Sequence, residues 1–167
     1  MIIKSYEVNK NIPNFSKYNF YLLYGENVGL KKEIKNIIKK ANEDPNDSMD
    51  IMSFYENEIL ENKEIFYNFV YSGSLFGNKK IVAIFDSTDK IMKKIEDIFS
   101  KPVENVSIII ISGVLEKKSK LRNFFETDKN SICIPCYPDN DRDLEMIILS
   151  AMKKNNISVS RDIINLL

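Results

Sequence analysis

The residues with the clearest chemical potential are Gly25 to Lys32, which read Gly-Glu-Asn-Val-Gly-Leu-Lys-Lys between an apolar run and a helical pattern. A phosphate-binding loop occupies this kind of position. It requires G-x-x-x-x-G-K-[ST], in which glycines let the backbone approach, lysine meets the phosphates and the hydroxyl meets magnesium. Here the second glycine comes one position early, Lys32-Glu33 stands where the hydroxyl is required, and Glu26 repels a polyphosphate. The spacing predicts a tight turn that needs Gly25 and a degenerate loop, at Gly25, Glu26 and Asn27, that does not bind ATP.

Catalytic chemistry has few other candidates in the 167 residues. The chain has no histidine, which excludes Ser-His-Asp and Cys-His nucleophiles and histidine-ligated metals. An ATPase carries two acidic residues after its third strand, whereas this chain offers Asp86-Ser87, and we expect Asp86 to cap a helix. The single C-x-x-C of Cys133 and Cys136 cannot close a four-ligand zinc site, so we expect buried cysteines. No catalytic residue, metal or cofactor is therefore expected.

A second candidate site lies between a predicted helix and a predicted strand. Two large apolar residues, Leu75 and Phe76, follow Gly73 and Ser74 and precede Gly77, with polar residues on both sides. Two interpretations remain open from the residues alone: the pair packs into the local core at the helix end, or it protrudes and anchors in the pocket of a partner. Burial in a partner would stabilise a complex by about 3–6 kcal/mol before the costs of association.

A basic stretch follows the fourth predicted strand, and its cations are Lys117, Lys118, Lys120 and Arg122. They are candidates for contact with nucleic-acid phosphates, and a solvated helix face is the alternative. Lys and Arg together number 24, as do Asp and Glu, so the net charge is zero. Strong autonomous binding to nucleic acid is therefore not expected.

The elements that must position these residues alternate along the chain. Apolar segments typical of buried strands are Phe20–Tyr24, Ile51–Tyr55, Ile81–Phe85, Val106–Ile111 and Ile132–Ile134. Amphipathic helical patterns separate them, one of them over about residues 60–72 and another over 144–152. This alternation predicts an α/β three-layer sandwich with a five-stranded parallel sheet. After residue 156 the pattern changes to a short connection and an apolar helix, which indicates the beginning of a further helical domain.

Three segments, in their order and spacing, resemble the delta subunit of the bacterial DNA polymerase III clamp loader: Tyr21–Asn27, Gly73–Val82, and Ser107–Ser112 followed by Lys117–Phe125. The resemblance implies an AAA+-like α/β domain over residues 1–140, with a degenerate phosphate loop, in a subunit of the polymerase holoenzyme that does not hydrolyse ATP. It also implies that residues 141–167 are the beginning of a small helical lid domain.

The same resemblance implies partners. Leu75 and Phe76, with Ser74 and Gly73, correspond to residues that enter the hydrophobic pocket of the β sliding clamp, although members can carry a larger apolar residue where this chain has Gly73. Sibling loader subunits of the gamma/tau and delta-prime type are expected, with primed DNA as an indirect partner. The alternatives are an active nucleotide-binding AAA+ ATPase and a nucleic-acid-binding module. No signal peptide or membrane span is evident in the sequence, so a cytoplasmic protein is expected.

Overall fold

The computed structural model describes residues 1–43, 48–72, 79–101 and 104–138, together with residues 149, 152 and 157. Within these residues the strands are β1 Phe20–Tyr24, β2 Asp50–Tyr55, β3 Lys80–Ser87, β4 Val106–Ser112 and β5 Ser131–Pro135. The helices are α1 Val8–Phe15, α2 Val28–Asn42, α3 Glu56–Glu61, α4 Lys63–Tyr71, α5 Met92–Phe99 and α6 Lys120–Thr127. Short 3-10 turns precede α1 and α5, at Ser5–Glu7 and Asp89–Ile91.

All the strands pair in parallel, in the spatial order β2-β3-β4-β1-β5. Strand β1 lies inside the sheet, where Phe20 is in register with Ile108 of β4 and with Ser131 of β5. Its residues Tyr21 to Tyr24 are all buried. Parallel pairing requires crossover connections, and the helices between the strands supply them. The predicted five-stranded parallel sheet is therefore confirmed.

The sheet has a helical layer on each face because successive strand residues point to opposite sides. Tyr21 and Leu23 belong to one apolar cluster, which α1 and α2 cover. Leu22 and Tyr24 belong to the other cluster, which α3, α4, α5 and α6 cover. This arrangement confirms the three-layer α/β sandwich, and it explains why the central strands are apolar throughout.

Two helical features differ from the prediction. The helix expected over residues 60–72 is divided at Asn62, whose φ of −137° and ψ of 89° are not helical. Its side chain accepts a hydrogen bond from the N–H of Glu64 at 3.1 Å, so Asn62 ends α3 and caps α4. Helix α1 was not predicted, because it buries only two residues, Val8 and Phe15, seven positions apart.

The expectation that Asp86 caps a helix is wrong. Asp86 is exposed, adopts a left-handed φ of 54°, and lies where the pairing of β3 with β4 is irregular. The next helical turn is instead capped by Thr88, whose hydroxyl accepts from the N–H of Lys90 at 3.3 Å. Buried Glu56 adds a second acceptor for this turn, since its carboxylate receives the N–H groups of Thr88 at 2.7 Å and Ile91 at 3.1 Å.

Both cysteines are buried, as the sequence predicts. Cys133 packs in the cluster beneath α3 to α6, whereas Cys136 packs in the cluster beneath α1 and α2. Burial raises the pKa of each thiol to about 12. The two thiols therefore sit in different layers and are protonated at neutral pH, which disfavours a disulfide between them.

The chain divides into two compact units, Met1–Tyr137 and Pro138–Leu167. In the second unit the described residues Leu149 and Met152 are helical, and the N–H of Ile157 donates to the carbonyl of Met152 at 2.9 Å. Most of the predicted helix over 144–152, and the predicted start of a lid at residue 141, lie outside the described residues. In the described stretches no helix is both long and apolar enough to cross a bilayer.

The turn between β1 and α2 requires glycine at one position. Gly25 has a φ of +127°, and a Cβ atom built on it would lie 2.1 Å from the carbonyl oxygen of Cys136. Gly29, within α2, has no such constraint, since a Cβ there would meet only the side chain of Asn27 at 3.6 Å. The prediction that this turn needs Gly25 agrees with both the dihedral angle and the close approach of β5.

Helix α6 begins at a cap that joins two distant segments. The Ser119 hydroxyl accepts from the N–H of Arg122 at 3.2 Å and donates to the carboxylate of Asp89 at 2.6 Å. That carboxylate also accepts the N–H groups of Lys120 at 3.1 Å and Leu121 at 3.0 Å. Burial raises the pKa of Asp89, but the hydrogen bonds from Ser119, Leu121 and Lys120 outweigh it, so the pKa lies below its ordinary value.

We predict opposite effects for alanine at the two glycines. Gly25→Ala should lower the free energy of unfolding by about 3 kcal/mol or more, because the new Cβ overlaps the backbone of Cys136, just after β5, and the dihedral is unfavourable. Gly29→Ala should raise it by up to about 0.5–1 kcal/mol, because alanine favours helix. Urea denaturation followed by circular dichroism measures both. Equal stabilities of the two variants would contradict the described turn.

We also predict a pH-dependent contribution from Asp89. A carboxyl whose pKa is depressed in the folded state stabilises the fold above its unfolded pKa, near 3.8, and loses that effect as the pH falls through the folded value. Because Asp89 is exposed and solvent screens its charge, Asp89→Asn should cost no more than about 0.5–1 kcal/mol at neutral pH. The difference from wild type should shrink progressively below about pH 4.

The matched control is Asp86→Asn, which removes an exposed carboxylate at a left-handed position that asparagine tolerates. A pH-independent difference for Asp89→Asn would refute this assignment.

Candidate functional site

The candidate ligand site of this fold is the carboxyl edge of the sheet, between β1 and β4. In open parallel sheets, ligands bind where helices that follow neighbouring strands go to opposite faces. Helix α2 follows β1 and packs on one face, through Ile34 and Ile38. Helix α6 follows β4 and packs on the other, through Leu121 and Phe125. The switch point therefore lies between the ends of these two strands.

A lysine side chain fills this switch point. Lys31 is only 8% exposed, and its ammonium donates to the carbonyl of Gly25 at 2.8 Å and to that of Ser112 at 2.8 Å. Gly25 directly follows β1, and Ser112 is the last residue of β4. Sequence reasoning missed this role, although the spacing from Gly25 puts Lys31 at the lysine position of G-x-x-x-x-G-K-[ST]. Here the lysine binds protein carbonyls where a working loop would bind phosphate.

Backbone donors of the loop are also used within the protein. The N–H of Gly25 donates to the carbonyl of Gly113 at 2.9 Å, and that of Asn27 donates to the carbonyl of Cys136 at 3.0 Å. The N–H of Leu30 donates to the side chain of Asn27 at 3.0 Å, which caps α2. In a phosphate loop, N–H groups of this segment surround the anion. These bonds instead join the ends of β1, β4 and β5.

The ends of the neighbouring strands β3 and β4 are also joined by a hydrogen bond within the protein. The hydroxyl of Ser112 donates to the carbonyl of Ser87 at 2.5 Å, which links β4 to β3. Glu26 and Asp86 are exposed. Among the described residues, no group of three or more cysteine, aspartate or glutamate side chains could hold a metal ion. The Ser112 hydroxyl at this edge is thus bonded within the protein.

The segment that carries Gly73, Ser74, Leu75 and Phe76 lies outside the described residues, but both of its flanks are described. Tyr71, the last residue of α4, is 40% exposed, and Ser72 is exposed. At the other flank Lys80 begins β3 and is buried. Of the two flanks, Lys80 lies at the amino edge of the sheet, because β3 starts there.

The basic stretch divides into exposed and internally bonded residues. Lys117, Lys118 and Lys120 are exposed, and the ammonium of Lys118 pairs with Glu116 at 2.9 Å. The structure therefore leaves these three lysines at the surface, where contact with a phosphate backbone is sterically open.

Arg122, the fourth candidate, is held within the domain. Its Nε donates to Glu126 at 2.8 Å, its Nη1 donates to the carbonyl of Leu115 at 3.1 Å, and its guanidinium lies 5.1 Å from the ring centre of Tyr24. The Tyr24 hydroxyl donates to the same glutamate at 3.0 Å. These contacts attach α6 to the end of β1, which is a structural role that the sequence pattern did not indicate.

Comparison with known proteins identifies relatives of this fold. Residues 21–137 match the family described as DNA polymerase III, delta subunit. A curated relative, the probable DNA polymerase III subunit delta of Rickettsia prowazekii, is 26% identical over 152 residues, which cover 90% of this chain and 44% of that protein. The solved structure of the DNA clamp loader delta protein of Bacillus subtilis superposes with a TM-score of 0.65 at 15% identity, covering 90% of this chain and 48% of that chain.

The chain thus spans about half the length of these two relatives. The structural likeness shows that the five-stranded sheet and its flanking helices have the fold of the clamp loader delta protein. The family match is independent of that superposition and extends from β1 to the residues just after β5, well over half of the chain. The chain therefore belongs to the DNA polymerase III delta subunit family.

Proposed function

We propose that this chain is the AAA+-like part of a clamp-loader subunit that binds the β sliding clamp through Leu75 and Phe76, helps to open the ring, and does not hydrolyse ATP. The observation that carries the proposal of a subunit without ATP hydrolysis is the ammonium of Lys31 at the switch point, on the carbonyls of Gly25 and Ser112. Family membership supports the role in the loader.

The geometry of Lys31 argues against the alternative of an active ATPase. To meet a phosphate, its ammonium would have to leave two carbonyls that it now satisfies at 2.8 Å each. A buried acceptor left unpaired costs about 1–3 kcal/mol. The loop lacks the hydroxyl that holds magnesium, since Lys32 stands there and is exposed. Nucleotide binding at this edge would therefore break two hydrogen bonds of Lys31, and the loop has no hydroxyl that would hold the magnesium ion in return.

Binding to the clamp is supported by the composition of the segment after α4. Two large apolar side chains stand between glycines and polar residues, and the flanking residues Tyr71 and Ser72 are exposed. Apolar residues at a surface commonly mark an interaction site. Seating Leu75 and Phe76 in an apolar pocket would supply the attachment to the clamp.

Ring opening requires more than attachment. A closed ring opens only when a ligand binds the open form better than the closed one, and shifting a strongly closed population takes several kcal/mol of differential affinity. Leu75 and Phe76 hold the subunit on the ring, and a neighbouring surface must fit only the opened interface. ATP acts elsewhere, in sibling subunits of the loader, and the siblings expected as partners are of the gamma/tau and delta-prime type.

The setting of this function is the cytoplasm, with primed DNA as an indirect partner. The exposed lysines Lys117, Lys118 and Lys120 remain candidates for contact with that DNA inside the assembled loader. Arg122 is a weaker candidate, because its guanidinium already bonds Glu126 and Leu115. The zero net charge supports an indirect rather than an autonomous interaction with DNA.

We predict that the double variant Leu75→Ala, Phe76→Ala binds the clamp of the same organism roughly a hundredfold more weakly, or not measurably, because most of the buried apolar area is removed. Titration calorimetry with purified clamp measures the affinity. The control is Val114→Ala, which removes a 58% exposed apolar side chain at the carboxyl edge of the sheet. The control should bind as wild type does, and equal affinity of the double variant would falsify the anchor.

A second prediction separates a structural lysine from a phosphate-binding one. Lys31→Met should lower the free energy of unfolding by about 2–4 kcal/mol, because two buried carbonyls lose their donor. The control Lys32→Met, at an exposed position of the same helix, should stay within about 0.5 kcal/mol of wild type. ATP with magnesium at millimolar concentration should leave the melting temperature of wild type unchanged. A stable Lys31→Met variant, together with an ATP-dependent rise in the wild-type melting temperature, would support a working nucleotide site instead.

A further inference from the structure

The segment that carries Leu75 and Phe76 leaves α4 at Ser72 and returns to the sheet at Lys80. These two flanking residues are in direct contact. The ammonium of Lys80 donates to the hydroxyl of Ser72 at 2.8 Å and also to the backbone carbonyl of Ser72. A single side chain therefore joins the exit of the segment to its re-entry.

The contact extends one turn back into α4. Lys80 Nζ donates to the carbonyl of Phe69 at 3.1 Å and lies 5.2 Å from the centre of the Phe69 ring. The Ser72 hydroxyl donates to the same carbonyl at 3.2 Å. Lys80, Ser72 and Phe69 thus form a closed set of contacts, which we call the Lys80 clasp.

The clasp is favourable because it places a cation on the end of a helix. The last carbonyls of a helix lack intrahelical partners and carry partial negative charge. Burying an ammonium is costly unless such acceptors surround it, and Lys80 is only 5% exposed. The three oxygens and the Phe69 ring offset that cost, so the side chain has a strong preference for this one position.

The other end of the clasp is a rigid strand. The backbone of Lys80 is in register with Asp50 of β2 and with Val106 of β4, and its N–H donates to the carbonyl of Asn105 at 2.7 Å. The clasp therefore fixes the end of α4 relative to the sheet. A segment whose two ends are held at one place has fewer conformations to lose when it binds.

We propose that Lys80 is a positioning residue for the clamp: by tying Ser72 to the start of β3, it fixes the two ends between which Leu75 and Phe76 lie in the sequence. This inference rests on the proposed function. It assigns a role to a lysine that need not itself touch the clamp. Lys79, one residue earlier and half-buried, carries the same charge and provides a matched comparison.

The test measures clamp affinity for the 167-residue chain by calorimetry, well below the melting temperature of each variant. Lys80→Met keeps the aliphatic stem and removes the donor, and it should weaken binding roughly five- to twentyfold through lost pre-organisation. Lys79→Met should bind as wild type does. In the Leu75→Ala, Phe76→Ala background, Lys80→Met should cause no further loss, because the clasp acts only through the anchor.

The outcomes separate the two proposals. If wild type and the Leu75→Ala, Phe76→Ala variant bind the clamp equally, the proposed anchor is contradicted, and so is the role of the clasp that depends on it. The positioning role is overturned, and the anchor stands, if the Leu75→Ala, Phe76→Ala variant binds more weakly but folded Lys80→Met binds the clamp as wild type does. The same holds if Lys79→Met lowers the clamp affinity as much as Lys80→Met does. Should Lys80→Met not fold, Ser72→Ala removes only the hydroxyl tie; a two- to fivefold loss supports the clasp and wild-type affinity overturns it.

Discussion

The bond between the Lys31 ammonium and the carbonyls of Gly25 and Ser112 is the constraint on which the carboxyl edge of the sheet depends. It joins the ends of β1 and β4 at the point where a parallel sheet would receive a ligand. The N–H groups of Gly25 and Asn27 complete the closure by bonding to the carbonyls of Gly113 and Cys136. Polar groups that would hold a nucleotide in a working site are thus used to hold the protein together.

The polar groups at the carboxyl edge of the sheet bond within the protein. The function that we propose depends instead on residues that come between α4 and β3 in the sequence. Leu75 and Phe76 precede β3 in the sequence, and Lys80 begins that strand at the amino edge of the sheet. Lys31 and Lys80 are both buried cations that bond backbone carbonyls, but with different consequences. Lys31 joins the ends of β1 and β4. Lys80 fixes the end of α4, which precedes the segment that we propose to bind the clamp. The same chemistry therefore joins two strand ends in one place and holds a helix end to a strand in the other.

The sheet makes both arrangements possible because it is rigid. Strands β1 and β4 are buried on both faces, so the ends of these strands have little freedom to move. The hydrogen bonds at the carboxyl edge span β3, β4, β1 and β5, and each adds to a register that apolar packing already sets. Pre-organisation of this kind lowers the ordering cost of binding.

The sequence by itself determined the class of fold and the departure of the Gly25–Lys32 loop from the phosphate-binding pattern. Continuous apolar strands between amphipathic helices indicate a parallel sheet covered on both faces. The residue pattern alone also shows that the loop lacks a glycine at position 30 and a hydroxyl at position 32. Only the tertiary structure placed Lys31 on Ser112, 81 positions away, and Arg122 on the ring of Tyr24 in β1. Contacts of this kind depend on which strand ends and helix faces meet. Side-chain hydrogen bonds across the fold leave no periodicity in the chain, and for that reason the pattern of residues could not reveal them.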